Sequence, residues 1–227
     1  MPPRVTVLQL DTDFPRIAGD VGAPESYARP PQIIRIAGAS VGRIVTDRPA
    51  DIDIAPFEDA LARATGDIIV TSCGFLSYWQ ADLAACTDRP FISSALTALD
   101  GLHHSVPPAQ MCILTFDATR LGAAHLGRHS AYTSSIIGLP QAHHLRRVIE
   151  GNLHKLDKQT ATREITALMA DTVTPAHRQI LLECTNLPPY RAAIKAATGL
   201  PVTDILTRIE ATCPGSIAPR FRGPQVS

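Results

Sequence analysis

The chain has 227 residues, 45% of them apolar and 19% charged, with 21 Lys and Arg balanced by 21 Asp and Glu. That balance leaves no basic excess to hold nucleic acid or an anionic membrane surface, and no apolar run approaches the roughly 18–20 residues that cross a bilayer. Five cysteines, at 73, 86, 112, 184 and 213, form an odd set without a CxxC pair, which argues against both a disulfide framework and a zinc ribbon.

The N-terminus, MPPRVTVLQL, enters a strand-like pattern with no charged region leading an apolar signal segment. A cytoplasmic location is therefore the expectation. Val5–Leu10 reads as a buried strand ending in Asp11-Thr12-Asp13. A Gly- and Pro-rich stretch over residues 14–31 follows, and a loop of that length is commonly functional. Gln32–Ile36 predicts a second strand. Residues 56–65 predict a helix, with Pro56 near its start and Gly66 as its stop. Residues 67–72, DIIVTS, form the clearest strand and run into Cys73-Gly74-Phe75, with a helix expected through Leu76, Trp79 and Leu83. A short strand is expected at 90–93 and a helix at 95–102.

Residues 110–116, QMCILTF, predict a buried strand ending in the turn Asp117-Ala118-Thr119. A weaker strand is expected at 131–138, with helices at 141–156 and 164–171. Residues 178–182 lead into Glu183-Cys184-Thr185. Pro188 or Pro189 opens a helix that Gly199 stops, and a strand at 202–205 precedes the last helix at 206–211. The tail after Cys213 reads as loose. Strands that alternate with helices and are apolar throughout mark a parallel sheet covered on both faces, so the fold class is α/β.

One internal echo organises the chain. ATGDIIVTSCGF and HRQILLECTNL each place an apolar strand, a polar residue, a Cys and a helix start in the same order, with the cysteines 111 positions apart. Ligands of parallel sheets sit beyond the carboxyl ends of the strands. A helix N-terminus there offers free N–H groups and a partial positive charge, which bind carboxylates and favour thiolate. Two such junctions facing each other would hold a small carboxylic acid between a thiolate and a thiol. That pair suits removal of a proton from one face of a carbon and delivery to the other. Donors on the carboxylate would stabilise the enediolate, by roughly 3–4 kcal/mol each, and positioned proton transfer adds about 10²–10⁴-fold. His103-His104 and His143-His144 are adjacent pairs that do not face one way, so they read as solvated histidines and no metal site is expected.

With these residues in place, LDTDFPRIAGDVG (10–22), TSCGF (71–75), ECTNLPPY (183–190) and TGLPVTDI (198–205) resemble the aspartate/glutamate racemase superfamily. This family also includes hydantoin racemases, arylmalonate decarboxylases and maleate cis–trans isomerases. The resemblance covers most of the chain. It implies two pseudo-symmetric lobes, residues 1–95 with 199–227 and residues 96–198, the C-terminal strand and helix returning to the first lobe. It implies an active site in the cleft between them, no cofactor, racemisation or epimerisation of an amino acid or related small acid with Cys73 and Cys184 as the bases, and dimers as a common assembly. Decarboxylation or cis–trans isomerisation using one cysteine is the alternative. Asp11, Thr12, Arg16, Ser72, Gly74, Phe75, Thr115, Thr119, Thr185 and Asn186 are the expected substrate contacts. For Asp11 and Thr12 the competing reading is loop capping, and for Arg16 a surface charge.

The sequence departs from the family pattern in three places. Gly74-Phe75 stands where glutamate racemases carry Asn-Thr, replacing a side-chain grip by backbone N–H groups and an aromatic wall. Asn186 stands where amino-acid racemases carry Glu or His, and it cannot ionise. Cys73 occupies a position that is usually Gly in the decarboxylases.

Overall fold

The computed structural model describes residues 1–222. The apolar runs of the first half become strands Val5–Leu10 (β1), Gln32–Ile36 (β2), Ile68–Thr71 (β3) and Phe91–Ile92 (β4), all parallel, in the order β2-β1-β3-β4. Those of the second half become Met111–Thr115 (β5), Ile136–Gly138 (β6), Gln179–Leu182 (β7) and Val202–Thr203 (β8), again all parallel and in the corresponding order β6-β5-β7-β8. The expected α/β architecture of two similar lobes is thus present. Every residue of β3, β5 and β7 is buried, as strands covered on both faces require. A fully buried Val, Ile or Leu contributes roughly 1.5–3 kcal/mol, so these central strands anchor each lobe.

The α-helices are Val41–Ile44 (α1), Ala55–Ala62 (α2), Gln80–Ala85 (α3), Leu99–Leu102 (α4), Ala123–Leu126 (α5), His144–Glu150 (α6), Lys158–Thr172 (α7), Arg191–Thr198 (α8) and Ile205–Thr212 (α9). Their ends follow local chemistry. Asp157 caps α7 through the N–H groups of Gln159 and Thr160, and Asp204 caps α9 through Thr207. Gly199 ends α8 at φ 70°, a conformation that favours glycine.

Several elements differ from their sequence-based expectation. The stretch expected as a strand over 131–138 is extended only at β6; residues Gly127–Ser135 form 3-10 turns that kink at His129. The helix expected over 141–156 stops at Gly151, which makes α6 short, whereas α7 is longer than its expected core because Asp157 starts it early. The expected returning strand, at 202–203, stays in the second lobe, where Val202 pairs with Ile180. The chain crosses back only afterwards: α9 packs on the 3-10 helix Ala95–Ala98, and Tyr27 forms a β-bridge with Ile217. Hydrogen bonds from Ala28 N to Ser216 O and from Ala218 N to Ser26 O extend that seam. The expected loose tail is therefore tied to the first lobe as far as a 3-10 turn at Pro219–Phe221, and its end, 223–227, lies outside the described residues. No helix is long and apolar enough to cross a membrane among the described residues.

Candidate active site

β3 and β7 occupy the same place in their sheets, so the residues just past their carboxyl ends are equivalent. In each sheet the chain order reverses beside these strands, which is where open parallel sheets leave a crevice. Ser72-Cys73-Gly74-Phe75 from the first lobe and Glu183-Cys184-Thr185-Asn186 from the second line one small cavity. Both cysteines are buried, each 7% exposed. Rings of Phe14, Phe75 and Phe116, with Leu10, Val41, Val45 and Ile149, complete the wall.

Hydrogen bonds across the cleft hold the two cysteine segments together. The Thr185 hydroxyl donates to Ser72 O at 2.6 Å, while the Ser72 hydroxyl accepts from Leu10 N at 2.9 Å. Thr71 fixes the turn at Cys73 by donating to Cys73 O at 3.0 Å. On the other side, the Cys184 thiol points at Asn186 Oδ1 at 3.7 Å. Asn186 Nδ2 donates to Asp20 Oδ2 at 2.6 Å, and Asp20 pairs with Arg16 at 3.2 Å and accepts from Gly22 N at 2.7 Å. Arg16 lies over the Phe14 ring at 4.4 Å and donates to Thr12 Oγ1 at 3.1 Å. Thus Asn186, though unable to ionise, links Cys184 to a buried ion pair in the opposite lobe.

The electrostatics of the sulfurs reverse one expectation. Each cysteine segment leads into a short 3-10 helix, Gly74–Trp79 or Pro188–Tyr190, that continues as α3 or α8, yet burial, the largest influence on either thiol, opposes ionisation. Burial, and secondly the nearby Glu183, push Cys73 up to about 12; the backbone N–H of Phe75 and the charge of Arg16 act in the opposite direction. Burial and Glu183 also raise Cys184 well above an ordinary thiol, against the N–H of Asn186. Both groups are therefore thiols in the free protein at neutral pH.

Glu183 is the residue that sequence reasoning passed over. It is fully buried, and burial pushes its carboxyl up to about 7 although the Thr115 hydroxyl donates to Oε2 at 2.5 Å. Oε1 is buried without a hydrogen-bond partner. It rests on Gly74, where an added Cβ would stand 2.0 Å from it; only glycine fits there. The available signal was a charged residue ending an otherwise apolar run, directly before the cysteine.

Of the expected contacts, Ser72, Gly74, Phe75, Thr185 and Asn186 are on the cavity wall with the two cysteines. Asp11, Thr12, Arg16, Thr115 and Thr119 are not. Asp11 turns to Arg35 and accepts from Gly38 N at 2.9 Å, the capping role that its position at a strand end also permits. Thr12 receives Arg16, and Arg16 is occupied by Asp20. Thr115 supports Glu183, and Thr119 caps Asp117 at 2.7 Å, a carboxylate that also binds the buried Arg146 at 2.8 Å. Cys112 is core, while Cys86 is exposed and Cys213 half-buried. No group of three or more His, Cys, Asp or Glu is arranged to hold a metal ion among the described residues.

No protein-family model matches the chain. A dimethylsulfoniopropionate lyase from Durusdinium sp. clade D is 27% identical over 228 residues, covering 95% of this chain and 76% of that protein. Dimethylsulfoniopropionate lyase 7 of Emiliania huxleyi is 28% identical, covering 90% of this chain but 64% of its own length, so this chain spans under two thirds of that relative. Among solved structures, allantoin racemase from Pseudomonas fluorescens superposes with a TM-score of 0.55 at 12% identity, covering 99% of this chain and 98% of the racemase. The chain has the fold of the aspartate/glutamate racemase superfamily.

Proposed function

We propose that this chain is an enzyme that removes the proton α to the carboxylate of a small acid, with Cys73 and Cys184 as its acid/base pair and no cofactor. The observation that carries the reading is the placement of both sulfurs, one from each lobe, on a single cavity too small for a macromolecule. In the working form one sulfur is a thiolate. It takes the Cα proton, so a C–H bond breaks, an S–H bond forms, and the electron pair passes to the carboxylate as an enediolate. Backbone N–H groups at Gly74–Phe75 and Thr185–Asn186 are the candidate donors to that carboxylate.

The fate of the enediolate defines the activity. Elimination is the outcome we favour, with a sulfonium carboxylate such as dimethylsulfoniopropionate as substrate. The β C–S bond breaks, its electron pair leaves with dimethyl sulfide, and a C=C bond forms to give acrylate. Relatives bearing the name of this lyase align over at least nine tenths of the chain, and the phenyl rings of Phe14, Phe75 and Phe116 suit a sulfonium, which aromatic faces attract. Racemisation is the second reading, favoured by the retention of two cysteines in equivalent positions: the opposite thiol would return a proton to the other face.

Proton NMR in D₂O separates the outcomes. Elimination gives acrylate and dimethyl sulfide from dimethylsulfoniopropionate. Racemisation gives deuterium at Cα of an amino acid or a hydantoin with no loss of carbon or sulfur. Neither signal with any of these compounds would refute α-proton chemistry for this chain.

A further inference from the structure

We propose that Glu183 is a positioning residue whose buried negative charge governs the protonation of both cysteines, and that the cationic end of a zwitterionic substrate releases that control. Glu183 immediately precedes Cys184 in the chain, and its carboxyl is wedged against Gly74, the residue after Cys73. It therefore sits where the two cysteine segments meet, beside the Thr185–Ser72 hydrogen bond. Its Oε2 is held by Thr115, and Oε1 is buried with no partner. No hydrogen bond joins it to either sulfur, so it acts through its field and not by passing a proton.

The other charges near the sulfurs are already balanced. Arg16 favours Cys73 thiolate and Asp20 disfavours Cys184 thiolate, but these two are paired with each other at 3.2 Å. Tyr190, also near Cys184, is a phenol that burial pushes well above its ordinary range, so it stays neutral and out of range of the sulfur chemistry. Glu183 has no cationic partner among the described residues. A like charge close to an acid disfavours its ionisation, and here the same carboxylate opposes ionisation of both sulfurs. A sulfonium or ammonium group entering the cavity supplies the missing positive charge, so thiolate forms when the correct substrate is bound. A carboxylate of the same shape without the cation would leave the thiols protonated.

The inference rests on the reading of Cys73 and Cys184 as the working sulfurs, but its first readout needs no turnover. Alkylation of these two cysteines by iodoacetamide is followed by mass spectrometry as a function of pH, in the wild type and in E183Q. In the wild type the logarithm of the rate should rise with pH, flatten across the ionisation of Glu183 near pH 7, then rise again, because each Glu183 that ionises makes the thiols weaker acids. In E183Q the rise should be uninterrupted, and alkylation at pH 8 faster by about three- to tenfold, equivalent to half to one unit of thiol pKa. The wild-type inflection tests the inference even if E183Q fails to fold. An unbroken wild-type rise, or equal rates in folded E183Q, overturns the field effect whatever the enzyme's substrate proves to be. Adding dimethylsulfoniopropionate tests the cation: alkylation of one sulfur should be blocked by a zwitterion more strongly in the wild type than in E183Q. Equal protection by 4-methylpentanoate, the carboxylate of the same shape without the cation, would overturn the cation release alone.

Discussion

Glu183 illustrates how a single buried acid can set the chemistry around it. Its folded-state pKa is raised from 4.5 to about 7, so the folded chain holds its proton more tightly than the unfolded chain. Stability from this group is complete below about 4.5 and is lost as pH rises through about 7, by about 3 kcal/mol for a shift of this size. E183Q removes the ionisation, so its melting temperature relative to the wild type should improve between pH 5 and pH 8; a pH-independent difference would contradict the assignment. Asp117 works in the opposite direction. Burial opposes its ionisation, but hydrogen bonds from Thr119 and the Arg146 pair outweigh burial and hold its carboxyl below the usual range. Its contribution is present at neutral pH and lost as pH falls through that lowered value. Thermal melts of Asp117→Asn should accordingly show a deficit at pH 7 that narrows towards pH 3.

At the scale of elements, the site is a meeting of two strand ends. Gly74 is confined by Glu183 Oε1 at 2.0 Å and Glu183 O at 2.7 Å from any added Cβ. Gly74→Ala should cost about 1–3 kcal/mol through overpacking and separate the cysteine segments, read as a lower denaturant midpoint and lost turnover; a neutral effect on both would mean that the contact yields. Across the cleft, Thr185→Val removes the donor to Ser72 O and should cost about 1 kcal/mol, measured by urea unfolding. The sequence made the strands legible because β3, β5 and β7 each carry a run of at least three apolar residues, and it made the cysteines legible because β3 and β7 lead into them. It did not reveal that 3-10 turns follow them: Gly74 and Pro188-Pro189 suggest helix starts, but whether the first turn is α or 3-10 is decided by packing across the cleft. The hydrogen bonds that Asp11, Thr115 and Thr119 make were hidden for a related reason. Their positions at strand ends were visible, while the partners that occupy them, Arg35, Glu183 and Asp117, come from elsewhere in the chain or face them only in three dimensions.

For the whole molecule, the arrangement is two copies of one idea. Each lobe has a central strand ending at a cysteine, and strands β3 and β7 take equivalent places in sheets of equal order. The lobes are fastened at the site by Thr185–Ser72 and Asn186–Asp20, and farther out by Asn152, whose Oδ1 accepts from Asp13 N at 2.7 Å. The C-terminal seam ties Ser216, Ile217 and Ala218 to the first lobe, a connection that sequence reasoning placed one strand too early. The two-lobed plan was readable from the echo of the cysteine motifs; the sheet that holds β8 was not, because two residues, Val202-Thr203, carry too little pattern to choose a neighbour. On the proposed function the two sulfurs act as one unit on one substrate. The most direct test is steady-state turnover of Cys73→Ser, Cys184→Ser and the double variant with whichever acid the wild type consumes. Either single change should lose about 10²–10⁴-fold, and the double should be little worse than either, as for groups that act together. A single variant that keeps turnover within tenfold of the wild type would contradict a shared mechanism.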